Sequence, residues 1–180
     1  MFLEAAVLGL LVGWARKGKL SRLGKLPLKS LFLVLLAFLI QLLLMVDYRY
    51  GGSLSSFAPY LHIISYLPLL AFIFLNRKLP GILVLGLGLA LNLAVIAANG
   101  GTMPVSLENL PPRYQERLLS GSSSPFHSAL TEETRLSFLG DIFQLPYGRG
   151  DMVSLGDIFL AAGLFWFIQQ GMQEARQRET

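Results

Sequence analysis

Five apolar runs set the limits on what this chain can become. They cover residues 2–15, 28–46, 57–75, 81–98 and 153–172, and the groups inside them that ionise near neutral pH are Glu4, Lys29, His62 and Asp157. A run of about 18 or more apolar residues reads as a bilayer-spanning helix. A buried core helix of a soluble domain accounts for one such run, but hardly for several in succession. Charge points the same way, since charged residues make up 14% of the chain where a soluble domain carries about a quarter. The expected fold is therefore all-α. It is a polytopic transmembrane bundle of about five spanning helices, one membrane domain over residues 1–180, with a long extracytoplasmic loop (99–152) carrying short helices.

The first run is the weakest. Its order, apolar residues and then Arg16, Lys17, Lys19, Arg22, Lys25 and Lys29, is the reverse of a cleavable secretory signal. It reads as a retained helix entering from outside, with a half-inserted helix as the alternative because 14 residues fall short of the bilayer core. Further on, Pro68 is expected to kink its helix and Pro80 to start the next. Gly86-Leu87-Gly88 allows close packing, and Asn99-Gly100-Gly101 supplies a left-handed helix end. Within the loop the expectations are an amphipathic helix from Arg113 to Leu119, a helical turn from Thr131 towards Asp141, and a turn over Pro146 to Asp151. Ser154 is expected to cap the last helix, and 173–180 reads as a polar tail.

Sidedness follows from charge. The segments at one end hold Arg16 to Lys29, Arg77, Lys78, Arg176 and Arg178, ten of the fifteen basic residues, with Glu174 and Glu179. The other end holds five basic and nine acidic residues. The positive-inside rule places the first set in the cytoplasm, which gives a plasma-membrane protein with its N-terminus outside and its C-terminus inside. Net charge of +4 and a pI near 9.6 raise the question of nucleic acid. The basic residues lie beside apolar runs without interleaved aromatics, so the expected partner is membrane lipid and not nucleic acid.

With that orientation, Gln41, His62, Asn92 and Asp157 fall at one depth, roughly 6–10 Å below the outer surface at about 1.5 Å per residue. Polar groups in hydrocarbon usually face a bundle interior or a wet cavity, so a shared pocket under the loop is expected, with independent satisfaction of each group as the alternative. Asn99, Met103 and His127 complete the candidate ligand-binding set. Asp157 sits in a first helical turn, where the helix N-terminus favours an anion. Phe138-Leu139-Gly140-Asp141-Ile142-Phe143 repeats its Leu-Gly-Asp-Ile-Phe setting. Two carboxylates at short range share a proton, the basis of aspartyl hydrolysis, which makes Asp141 and Asp157 the candidate catalytic pair. With no cysteine, thiolate zinc sites, iron–sulfur clusters and cysteine nucleophiles are excluded. No compact His/Asp/Glu spacing suggests a metal, and no motif asks for a cofactor.

Asn99-Gly100-Gly101-x-Met103-Pro104-Val105, Leu139-Gly140-Asp141-Ile142-x-x-Leu145-Pro146 and Ser154-x-Gly156-Asp157-Ile158 together resemble an uncharacterised family of small multi-pass bacterial membrane proteins, a domain of unknown function. That resemblance implies a bacterial plasma membrane and supplies no activity. The chain is also distantly similar to lipoprotein signal peptidase, in which Asp157 would match the aspartate of the last span and Asp141 the earlier one. It departs in lacking Asn two residues before Asp157 and Arg after Asp141, and in having an extra helix. Three readings remain: a binding or assembly protein that holds a protein or lipid-linked partner at the loop, an aspartate-dependent intramembrane hydrolase, and a small transporter or channel component.

Overall fold

The computed structural model describes residues 1–108, 110–145 and 151–173. Along them run α1 (Phe2–Ala15), α2 (Leu20–Leu23), α3 (Phe32–Tyr50), α4 (Ala58–Leu75), α5 (Ile82–Ala98), β1 (Met103–Val105), α6 (Pro112–Leu119), β2 (His127–Ala129), β3 (Phe143–Gln144), β4 (Met152–Val153) and α7 (Leu155–Gly171). The chain is mostly helical. α3 and α4, of 19 and 18 residues, are long and apolar enough to cross a membrane. α1, α5 and α7 have 14, 17 and 17 residues, or roughly 21–26 Å at about 1.5 Å per residue.

The long helices form a bent row in the order α1, α7, α5, α4, α3. Direction can be read from pairs along each seam. Gln41 meets Ser65 and Lys29 meets Asn76, so α3 and α4 are antiparallel. The α4–α5 seam is antiparallel as well, with His62 bonded just beyond the end of α5 and Ile73 beside Gly86 near its start. Across the α5–α7 seam Gly88 faces Gly156, and Gly81, which caps α5 seven residues earlier, faces Gly163. A Cβ on Gly88 would come within 2.5 Å of the Gly156 carbonyl oxygen, and one on Gly163 within 2.6 Å of the Leu85 nitrogen. α1 runs parallel to α7, its Gly9 against Ile168 and its Gly13 against Met172. Small residues at these crossings let backbones approach closely. The segments carrying Arg16 to Lys29 and Arg77-Lys78 thus lie at one end of the row, and the described residues of the 99–152 segment at the other.

Several element bounds differ from expectation for local reasons. α3 begins at Phe32 and not Leu28, because Lys29 is held through its backbone by the Asn76 side chain and Ser30 is left-handed at φ 55°. It then continues through Asp47 to Tyr50. α5 starts after a left-handed Gly81, with Pro80 upstream of the helix. At its end Asn99 has φ −115°, and Gly100 and Gly101 supply the left-handed turn at φ 65° and 88°. The stretch from Thr131 is a turn followed by a short 3-10 helix at Ser137–Leu139. The expected turn over 146–151 and the tail with Arg176 and Arg178 lie outside the described residues, apart from Asp151 and Gln173.

The loop is not built of short helices alone. β1 pairs in parallel with β2, and an isolated parallel bridge joins Val105 to Asp141 on its other edge. β3 and β4 form an antiparallel pair. Pro104 sits in the middle of β1 without loss, since its carbonyl oxygen accepts from the Asp141 amide at 2.8 Å and the β2 edge uses Met103 and Val105. Val95 and Ile96 at the end of α5 bury against Met103 and Leu139. The loop is therefore packed onto the bundle end.

Candidate functional site

β1 carries the first part of the site on its two edges. His127 enters opposite Met103 and Asp141 opposite Val105, so residues 14 apart in sequence flank one short strand. His127 Nε2 lies 3.9 Å from Asp141 Oδ2, and its Nδ1 is 3.0 Å from the Ser124 hydroxyl. Gly140 passes so close to β1 that a Cβ there would sit 2.7 Å from the Pro104 carbonyl oxygen. The second part is the start of α7. Ser154 Oγ accepts from the Asp157 amide at 2.9 Å and Asp157 Oδ2 accepts from the Ser154 amide at 3.2 Å, a complete capping box. Asp157 Oδ1 accepts from Asn92 Nδ2 at 2.9 Å, and Asn92 Oδ1 in turn accepts from Ser154 Oγ at 2.9 Å.

A cavity of about 500 Å³ joins the two parts. His127, Asp141, Asp151 and Asp157 line it together with Tyr114 of α6 and Met1. Of its carboxylates Asp141 is the most enclosed. Its side chain is 9% exposed, and its Oδ1 is buried without a hydrogen-bond partner among the described residues. Desolvation, reinforced by the negative charge of Asp157, pushes its pKa up to about 7. His127 is pushed down, first by desolvation and then by the His62 ring, with Asp157 opposing. Its side chain remains 42% exposed, which tempers the desolvation.

A second cavity of about 420 Å³ lies between the helices. Its lining is largely apolar, including Val34, Phe38, Leu69, Leu85, Leu89 and Leu164, with Gln41, Tyr66, Asn92 and Asp157 as polar members. Asp157 and Phe2 line both cavities.

The four residues expected at one level thus divide. Gln41, Asn92 and Asp157 share the inner cavity, although Gln41 donates to Ser65 Oγ at 3.0 Å. His62 lines neither cavity. It is buried, with Nδ1 2.7 Å from the Gly101 carbonyl oxygen and its ring 4.6 Å from that of Phe126. Because a carbonyl only accepts, Nδ1 carries the proton. Asn99 is spent on backbone, donating to the Val95 and Arg135 carbonyls and accepting from the Arg135 amide. Met103 is core. These three residues fasten the loop to the helices. Tyr114, Asp151, Phe2 and the ring closed by Ser154 escaped sequence reasoning. Ser154 alone had a signal, its place three residues before an acid.

The family of unknown function DUF5317 matches residues 25–169. The chain belongs to this family. DUF5317 thus takes in α3 to α6, the whole loop and nearly all of α7, and both aspartates fall within it. An uncharacterised protein of Thermotoga maritima is 30% identical over 172 residues, which cover 93% of this chain and 87% of that protein. No solved structure matches.

Proposed function

We propose that this DUF5317 member is a multi-pass bacterial plasma-membrane protein whose five long helices span the bilayer, and whose outward-facing cavity binds a protein or lipid-linked partner. The observation that carries the reading is the convergence of His127, Asp141 and Asp157, from three separate segments, on one cavity at the end of the bundle opposite the basic turns. Membrane residence is supported by the outer surface of α3, where Leu35, Leu39, Leu42 and Leu43 are all exposed. A soluble monomer seldom presents so continuous an apolar face. The shorter helices suit a locally thinned bilayer or snorkelling basic flanks.

The chain has no native cysteine, so sidedness can be tested with single substitutions and an impermeant maleimide. Ser123→Cys is expected to label on intact cells, and Lys19→Cys and Arg77→Cys only after lysis. The opposite pattern overturns the reading.

A second reading, an aspartate-dependent hydrolase, is favoured by one specific contrast. Asp157 is held by two donors, whereas Asp141 is buried with one oxygen unpartnered among the described residues. Two carboxyls in unlike settings are what an acid–base pair needs. On this reading Asp141→Asn and Asp157→Asn each abolish the cellular function. On the binding reading, loop truncation abolishes it while those isosteric changes only weaken it. Transport draws less support, because the inner cavity is lined by apolar side chains towards the basic end.

A further inference from the structure

The two cavities differ in character and share two lining residues, Asp157 and Phe2. Among the described residues the outer one presents Asp141, Asp151 and Asp157 with no lysine or arginine in its lining, and the Met1 ammonium at its edge is already paired with Glu4. The inner one is walled by leucine, phenylalanine and valine from α3, α4, α5 and α7. The helix row explains why the inner chamber is reachable. Its two end helices, α1 through Phe2 and α3 through Val34, Phe38 and Gln41, both border the chamber, yet α1 and α3 do not pack extensively against one another. The row curls into an open ring with its gap between them. A chain sliding from lipid through that gap leaves one apolar medium for another, so its transfer costs little and gives little. Selection then falls on the headgroup.

On the reading that this end of the bundle faces outward, we propose that the joined cavities bind one amphiphile, with a primary ammonium headgroup held between Asp141 and Asp157 and an alkyl chain lying in the chamber between α1 and α3. Asp141 is the observation that points to a donor: its side chain lines the cavity while nine-tenths buried, and its Oδ1 has no hydrogen-bond partner among the described residues. Such an atom is costly to leave unpaired, and an ammonium satisfies it with both charge and a proton. Asp157 sits at the junction, so a headgroup bound there directs its chain past Asn92 and Leu160.

The test uses the full chain in phosphatidylcholine nanodiscs and n-dodecylammonium bearing a terminal diazirine. Saturable photolabelling is expected on chamber residues such as Leu69, Leu85 and Leu164. Asp141→Asn should lower labelling by about tenfold, the factor that one lost charge-assisted contact represents. Leu89→Trp fills the chamber without touching either carboxylate and should block labelling there; thermal unfolding of each variant establishes that it folds. n-Butylammonium, with no chain to speak of, should compete poorly. Equal labelling by the matching dodecyl sulfate, labelling spread over the exposed helix faces, or full competition by n-butylammonium each overturns the proposal. If those results appear while Ser123→Cys still labels from outside, the amphiphile falls and the outward-facing site stands. If Ser123→Cys labels only after lysis, the underlying reading fails independently.

Discussion

Asn92 and Asp157 close a ring across the α5–α7 seam. The amide of one donates to the carboxylate of the other at 2.9 Å, and Ser154 completes the circuit by donating to Asn92 Oδ1 and accepting from the Asp157 amide. Asn92 is thereby fixed in one orientation, and Asp157 lines both cavities with both oxygens partnered. Replacing Asn92 with Leu leaves the Ser154 hydroxyl and Asp157 Oδ1 without those partners. A loss of about 1–3 kcal/mol is expected, read from chemical unfolding in detergent. An unchanged midpoint would mean that water replaces the amide at no cost.

Asp141 and His127 give opposite pH signatures. The folded-state pKa of Asp141 lies near 7 against 3.8 for the free group, so between those values the folded chain binds more protons than the unfolded one. Its contribution is most favourable below about pH 4 and is lost as pH rises to about 7. The folded-state pKa of His127 is lowered below 6.5, so it contributes a loss as pH falls below that value. Asp141→Asn is therefore expected to abolish the decline between pH 4 and 7. It should stabilise the protein at pH 8 by up to ~4 kcal/mol, at about 1.4 kcal/mol per pKa unit. His127→Gln should remove the loss on the acid side. Denaturation midpoints across pH 4–8 check both, and an Asp141→Asn profile parallel to wild type would show that this carboxyl is not held protonated.

The glycine seam gives a third expectation. Gly88→Ala drives a Cβ to 2.5 Å from the Gly156 carbonyl oxygen, a backbone atom that yields only if the helices part. A cost of roughly 1–3 kcal/mol follows. Gly100→Ala is the contrast, with nothing within 4 Å of the added methyl but a φ of 65° that an L side chain resists, at about 1–2 kcal/mol. A deeper chamber in the first variant, seen as changed diazirine labelling, separates the two mechanisms where their unfolding midpoints do not.

What the sequence disclosed was the helices, the alternation of their ends and the two aspartates, because hydropathy and the Leu-Gly-Asp repeat are local signals. The pairing across seams was less legible. Gly81 with Gly88 and Gly156 with Gly163 each recur at seven residues, but only the antiparallel fold shows that the two pairs face each other. Gly9 and Gly13, four apart, were a stronger signal for helix packing and lie on α1 against α7. The loop was hardest. Its strands are two or three residues long, too short for alternation to register, and a proline sits in the central one. His62 looked like a membrane ligand because a histidine in an apolar run is costly. The cost is met by one carbonyl, that of Gly101, brought there by a glycine turn whose reach no spacing in sequence reports.

Asn76 provides an expectation at the far end of the bundle, where it borders a separate pocket with Lys29 and Arg77 and lies away from the outer cavity. It is 3% exposed, and its side chain accepts from the Lys29 amide at 2.8 Å while donating to the Lys29 and Phe72 carbonyls at 2.9 Å each. This clasp joins the segment before α3 to the end of α4 through one side chain bonded to backbone groups, next to the left-handed Ser30. Asn76→Ala leaves the Lys29 amide and two carbonyls to find water at a crowded turn, a cost of about 2 kcal/mol. Asn76→Asp keeps the acceptor but loses both donations and adds a charge, so it should not rescue. Faster tryptic cleavage after Lys29, with the dependence of alkylammonium labelling on Asp141 unchanged, is the expected pair of results, since the clasp reaches the inner chamber only through the Phe72 backbone carbonyl and touches none of the residues around Asp157.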